Sequence, residues 1–130
     1  MNSDSSPEII LTHFDWNIQR LDEMLKQEAS DYFRSAALQR FGLTGDSALK
    51  CLQAFARQEG QSCDSLEECI QFADKAGWVN LNDTWKELIS EHEKIAQAGK
   101  GDDVALDIFQ TLGNYCTAFK GLHANLLKKV

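Results

Sequence analysis

Proline is almost missing from this chain: one residue, Pro7, in 130. Beyond it no pyrrolidine ring can interrupt a helix. Long apolar runs are missing too, and nothing approaches the roughly 20 residues that span a bilayer. The opening Met-Asn-Ser-Asp-Ser-Ser-Pro has neither the basic region nor the apolar core of a signal peptide, so a cytoplasmic protein without a membrane partner is expected. Clustered cations are scarce. Lys and Arg number 13 against 20 Asp and Glu, a net charge of −7, and residues 61–107 hold four Lys against eleven acids. Nucleic-acid affinity comes from phosphate neutralisation by clustered Lys and Arg, so nucleic acid is not an expected partner. The acid-free end with Lys120, Lys128 and Lys129 fits cations placed at a helix C-terminus.

Cofactor motifs are also lacking. There is no P-loop, no G-x-G-x-x-G and no G-x-S-x-G. Di-iron bundles need Glu three residues before His, but His13, His92 and His123 follow Ile10, Ile89 and Lys120 at that spacing. No cofactor and no metal site is expected. Four cysteines occur, Cys51, Cys63, Cys69 and Cys116, without a C-x-x-C pair. In a chain with ample core residues they read as thiols rather than staples. Cys51, Cys69 and Cys116 fall on apolar stripes as small buried hydrophobes. Cys63, just before a helix start, is the candidate exposed, reactive thiol.

What is present is helical periodicity from end to end. Ser5-Ser6-Pro7-Glu8 predicts a helix start with a Ser5–Glu8 capping box, followed by the face Ile10, Phe14, Ile18, Leu21, Leu25. A second stripe runs Phe33, Ala37, Phe41, Thr44, Ala48, Cys51, Leu52, Phe55 and stops at Gly60 as a C-cap. Gly42 and Gly45 inside it weaken the helix by about 1 kcal/mol each relative to Ala, which points to a bend or a close approach by a neighbour. Asp64-Ser65-Leu66-Glu67-Glu68 holds two overlapping capping boxes for a short helix ending at Gly77. Asn82 or Asp83 caps a fourth helix with Trp85, Leu88, Ile89, His92 and Ile95 on one face. Asp102 caps the last, with Ala105, Ile108, Phe109, Leu112, Cys116, Phe119, Leu122 and Leu126 at three- and four-residue spacing. The expected fold is all-α: an up-and-down antiparallel bundle of four long helices plus one short helix. It is read as one domain over residues 1–130, with 1–6 as a flexible lead-in.

Two segments carry a resemblance. Leu38-Gln39-Arg40-Phe41 with Thr44 and Ala48-Leu49-Lys50-Cys51-Leu52, and Ala76-Gly77-Trp78-Val79 with Asn82-Asp83-Thr84-Trp85-Lys86-Glu87-Leu88-Ile89, together resemble the nucleotidyltransferase substrate-binding family of HEPN-type helical bundles. The likeness runs over roughly residues 9–127. It implies a five-helix homodimer that pairs with a separate small nucleotidyltransferase and binds its substrate, nucleotide included. Some members are ribonuclease toxins that the transferase silences by modifying a tyrosine, a toxin–antitoxin arrangement. The pattern departs from the family where chemistry would sit. Gly42 replaces the usual Glu. The Arg-Asn pair, the His and the Tyr of active members fall on His92, Glu93, Gln97 and Gly99, or with a one-residue slip on Ala98 and Lys100 for the last two. No Arg occurs after Arg57, so the cation that stabilises developing phosphate charge is missing. The resemblance thus implies a non-catalytic member, a dimeric binding or regulatory companion. The alternative is a helical interaction module with no nucleotide role.

Candidate ligand-binding residues are Arg40, Thr44, His92, Gln97 and Lys100. Arg40 precedes an inward Phe41, so its stem can cover apolar surface while its head reaches a groove; the alternative is simple pairing with an acid. His92 sits on an apolar face, as a structural histidine or as a groove-lining one. For the homodimer, Tyr115, Phe119, Leu122, Leu126 and Leu127 spread wider than the ~100° a bundle core needs. A self-complementary patch would cover the surplus, and the family's seam would bring His92 and Lys100 of both chains to a shared cleft. The opposing expectation is that the short third helix covers it.

Overall fold

The computed structural model describes residues 6–27, 31–98 and 111–129. Five helices occur there: α1 (Pro7–Leu25), α2 (Asp31–Gln58), α3 (Leu66–Ala76), α4 (Asp83–Ala98) and α5 (Leu112–Leu127). No strand is present among the described residues. This is the all-α bundle of four long helices and a short one. Ser5, Asp102, Ala105, Ile108 and Phe109 lie outside the described residues.

Local chemistry sets most boundaries. Ser6, not Ser5, caps α1, its hydroxyl accepting from Ile9 N–H at 3.3 Å with Pro7 in the first turn. Ser65 caps α3 through Glu68 N–H at 3.2 Å, and Asn82 caps α4 through Trp85 N–H at 3.1 Å. Gly60 and Gly77 adopt φ of 73° and 82°, the left-handed conformation that lets Gln61 N–H reach Ala56 O and Trp78 N–H reach Ala73 O.

The helices form a ring in which α1 packs on α2 and α5, and α4 closes the other side against α2 and α5. Two bonds set the α1–α2 register. Thr44 Oγ1 approaches Asn17 O at 3.2 Å and Cys51 Sγ donates to Ile10 O at 3.4 Å, so the two helices run antiparallel. Phe119 of α5 is the hub, meeting Phe14, Phe41 and Trp85 at ring-centroid distances of 5.9, 6.1 and 5.9 Å. On α1 the core face starts at Leu11, which is 2% exposed. Ile10 is only half-buried and turns onto the α1–α2 seam.

Three expectations need correction or limits. Cys63 is no exposed thiol: it is buried and disulfide-bonded to Cys69, Cα–Cα 5.2 Å. The six-residue separation spans the α3 cap, where the chain folds back far enough for the sulfurs to meet. Cys51 and Cys116 are buried and free as expected. The apolar surplus on α5 is absorbed inside one chain: Tyr115, Phe119, Leu122 and Leu126 are all buried, and only Leu127 is exposed. Finally, α2 is one continuous helix, and of its two glycines Gly45 has the close neighbour, the His92 imidazole.

Candidate functional site

Of the five residues singled out in the sequence, the three described ones, Arg40, Thr44 and His92, do not line one groove. Thr44 is fully buried, its hydroxyl donating to Arg40 O at 2.6 Å with Asn17 O as the second, longer acceptor. That is a helix-packing role. Arg40 points to α1, its guanidinium 5.5 Å from the Trp16 ring centroid. His92 faces a different side of α2. Lys100 lies outside the described residues, as does the side chain of Gln97.

His92 is held in a made-to-fit notch. A Cβ on Gly45 would collide with the imidazole edge, with Nε2 at 2.6 Å, so the ring's position depends on that glycine. Phe41 meets the ring edge-on at 6.3 Å. Nε2 lies 3.0 Å from Asp46 Oδ1; a carboxylate can only accept, so Nε2–H is the donor. The histidine side chain is 12% exposed, that of Asp46 63%. An oriented imidazole is half of an acid–base device. A nucleophile or a cation aimed at the same point would be needed for chemistry, and among the described residues none meets the imidazole.

The larger depression is on the other side of Asp46, along the outer seam of α1 and α2. It encloses about 600 Å³. His13, Trp16 and Asn17 line it from α1, and Leu43, Asp46, Ser47, Lys50, Gln53 and Arg57 from α2. Trp16 and Leu43 are 51% and 42% exposed, and Lys50 and Arg57 bring two cations to the same lining. Arg20 and Arg40 both stand over the Trp16 indole, at 5.3 and 5.5 Å. Arg20 is also paired with Glu23 at 3.0 Å, while its Nε is shielded from solvent and meets no acceptor among the described residues. Asp46, the one carboxylate of the lining, already bonds His92. All four arginines of the chain, at 20, 34, 40 and 57, lie on α1 and α2.

A second depression of about 350 Å³ lies on the α4–α5 seam, lined by Asn82, Trp85, Asn114, Thr117 and Asn125 among others. Two of its amides serve the fold: Asn82 caps α4, and Asn125 donates to Trp78 O at 2.7 Å. It carries no charged lining residue.

Sequence reading missed Trp16, Asp46, Lys50 and Arg57 as a group. One signal was available. Trp16 lies two residues beyond Phe14, about 200° around the wheel from it, so a large aromatic sits on the side of α1 opposite the stripe. The partners on α2 follow only from the interhelical register. Compared with protein-family models and with curated proteins, the chain matches none.

Proposed function

We propose that this chain is a non-catalytic binding protein, a dimeric companion of a small nucleotidyltransferase in the manner of the family its sequence resembles. The observation that carries the binding reading is the α1–α2 seam. A chain of net charge −7 sets two of its arginines, Arg20 and Arg40, over a half-exposed tryptophan there. Trp and Arg are the residues that dominate binding energy at recognition surfaces. The non-catalytic half rests on the place where the resemblance puts an arginine: His92 stands there, wedged against Gly45 and bonded to Asp46. The companion role and the dimer rest on the resemblance alone, because Tyr115, Phe119, Leu122 and Leu126 of α5 are buried within the chain.

Among the described residues no helix is long and apolar enough to cross a membrane. A cytoplasmic location is part of the proposal, and the Cys63–Cys69 disulfide stands against it, since such bonds persist in oxidising compartments. Co-expression with the nucleotidyltransferase of the same organism tests the reading. Stoichiometric co-purification is expected, with a mass for the chain alone near twice 14.6 kDa by sedimentation equilibrium. A chain that sediments at 14.6 kDa and is never retained by the transferase would remove it. The second reading, an interaction module for an unrelated protein, is favoured by the exposed Trp16–Leu43 pair and would be supported by capture of such a partner in place of the transferase.

A further inference from the structure

The outer seam of α1 and α2 is a furrow with two unlike ends. Leu43, Asp46, Lys50 and Arg57 line it from α2 at spacings of three, four and seven residues, which is one face of a helix. From Leu43 to Arg57 the helix advances about 21 Å at 1.5 Å per residue, close to four turns. The Asn17–Thr44 contact marks one end and Ile10–Cys51 the other. Trp16 therefore stands beside Leu43, while Lys50 stands beside Ile10 with Arg57 further along α2. The first end is apolar. Trp16 and Leu43 are two of the four large hydrophobics exposed among the described residues, and the Arg20 and Arg40 contacts still leave Trp16 half-exposed. The second end is cationic. Among the described residues no carboxylate is bonded to Lys50 or Arg57, whereas Asp46, the acid of the lining, is bonded by His92.

We infer that this seam docks an acidic amphipathic helix of another protein, its apolar face on Trp16 and Leu43 and its acids toward Lys50 and Arg57. The shape selects a helix. A furrow between two antiparallel helices receives the side-chain ridge of a third, with anchors at i, i+3 or i+4, and i+7. A docked β-strand needs a sheet edge for its backbone bonds, and no strand is present among the described residues. The charge selects acids. The chain's −7 draws cationic partners at long range, but the local sign here is opposite: two cations, against one acid that His92 already holds. A basic helix would be repelled where it docks, and an uncharged one would gain nothing at the Lys50–Arg57 end. The inference rests on the binding reading of the seam proposed above and holds whichever protein supplies the helix.

A phage-displayed library of peptides about 15 residues long, four turns of helix, tests this. It is selected on the full chain at low salt, and the enriched peptides are synthesised and titrated. They are expected to carry net negative charge beside an apolar stripe of helical spacing, and to gain helical circular dichroism on binding. Trp16→Ala should weaken them about tenfold or more, the loss typical of a central aromatic anchor. Lys50→Glu combined with Arg57→Glu should also weaken them, and should bind in their place the same peptides with acids changed to Lys. Affinity for the wild type should fall with added salt. These side chains are exposed, and circular dichroism of each variant verifies the fold. Peptides that depend on Trp16 but are neutral or basic would overturn the inference and keep the seam as a binding face. Peptides that ignore every substitution, or a library that does not enrich, would remove both. A wild-type dimer that these substitutions dissociate would give the seam to a second copy of the chain and overturn the inference as well. Retention by the transferase is measured separately, so failure of this inference and failure of the companion role are told apart.

Discussion

Two glycines one turn apart in α2 have opposite meanings, and the difference is measurable. A methyl on Gly45 has no room, because the His92 imidazole occupies the space. A methyl on Gly42 would meet Ile95 Cγ2 at 3.8 Å, an ordinary van der Waals contact. Replacing helix-interior glycine by alanine gains about 0.5–1 kcal/mol when nothing collides. Gly42→Ala is therefore expected to stabilise the chain by that amount in denaturant titration. Gly45→Ala is expected to cost about 1–3 kcal/mol, the range for overpacking, since His92 must leave the notch and Asp46. The same substitution made in His92→Ala should become neutral or stabilising. If Gly45→Ala costs equally in both backgrounds, the imidazole is not what the glycine accommodates. The sequence allows a bend or a close neighbour at these glycines; the packing of α4 on α2 decides that Gly45 has the neighbour and which side chain it is.

At the scale of elements, α3 is secured more by its ends than by its length. Eleven residues are too few for a helix to persist in water by propensity. Ser65 and Gly77 close the termini, the disulfide ties Cys69 to the loop before them, and Gln53 Nε2 of α2 donates to Cys63 O at 3.1 Å. Closing so short a loop contributes about 2 kcal/mol on the chain-entropy account. A reductant should lower the midpoint of thermal unfolding by about 5–10 °C, and Cys63→Ser should remove the response to reductant. An unchanged melt would mean that the clip constrains nothing. Cys51, where α2 meets α1, makes a separate prediction. Burial pushes its thiol from an ordinary 9.0 up to about 12. Above pH 9.0 the unfolded chain gives up this proton while the folded chain keeps it, so stability declines with rising pH until the folded thiol ionises. The slope from this one group approaches about 1.4 kcal/mol per pH unit. Cys51→Ala should remove that share of the alkaline slope; identical slopes for the two proteins would contradict the assignment.

At the scale of the molecule, what was legible in the sequence is what local spacing governs. The apolar stripes of α2 and α4 and the caps at Ser65, Gly77 and Asn82 each follow from residues within a turn or two of each other. Thr44 shows the limit. Its place on the apolar stripe implies burial and its bond to Arg40 O is local to α2, but only the register of α1 brings Asn17 O to its hydroxyl. The Trp16 groove was hidden because it needs two helices brought together in three dimensions; the Cys63–Cys69 bond joins residues only six apart, but it depends on how the chain turns into α3, which cysteine spacing does not state. The closing contact of the ring, α5 on α1, was likewise invisible as a pair of charges. Asp22 of α1 holds Lys26 of its own helix at 3.1 Å and Lys120 of α5 at 3.3 Å. The Lys26 bond, with Lys120 adding to it against a smaller opposing effect of burial, keeps the carboxyl below its ordinary 3.8. A depressed acid stabilises the fold above the unfolded value and ceases to do so as pH falls through the folded one. Asp22→Asn should therefore cost stability at neutral pH, by no more than about 1 kcal/mol for so open a pair. The cost should shrink in 1 M salt, where the screening length is about 3 Å, and disappear in acid well below pH 3.8. Lys120→Ala should reproduce only the part that joins α5 to α1. If Asp22→Asn costs the same at pH 7 and pH 2, the carboxylate's charge contributes nothing, and the α1–α5 seam is held by the Phe14–Phe119 packing alone.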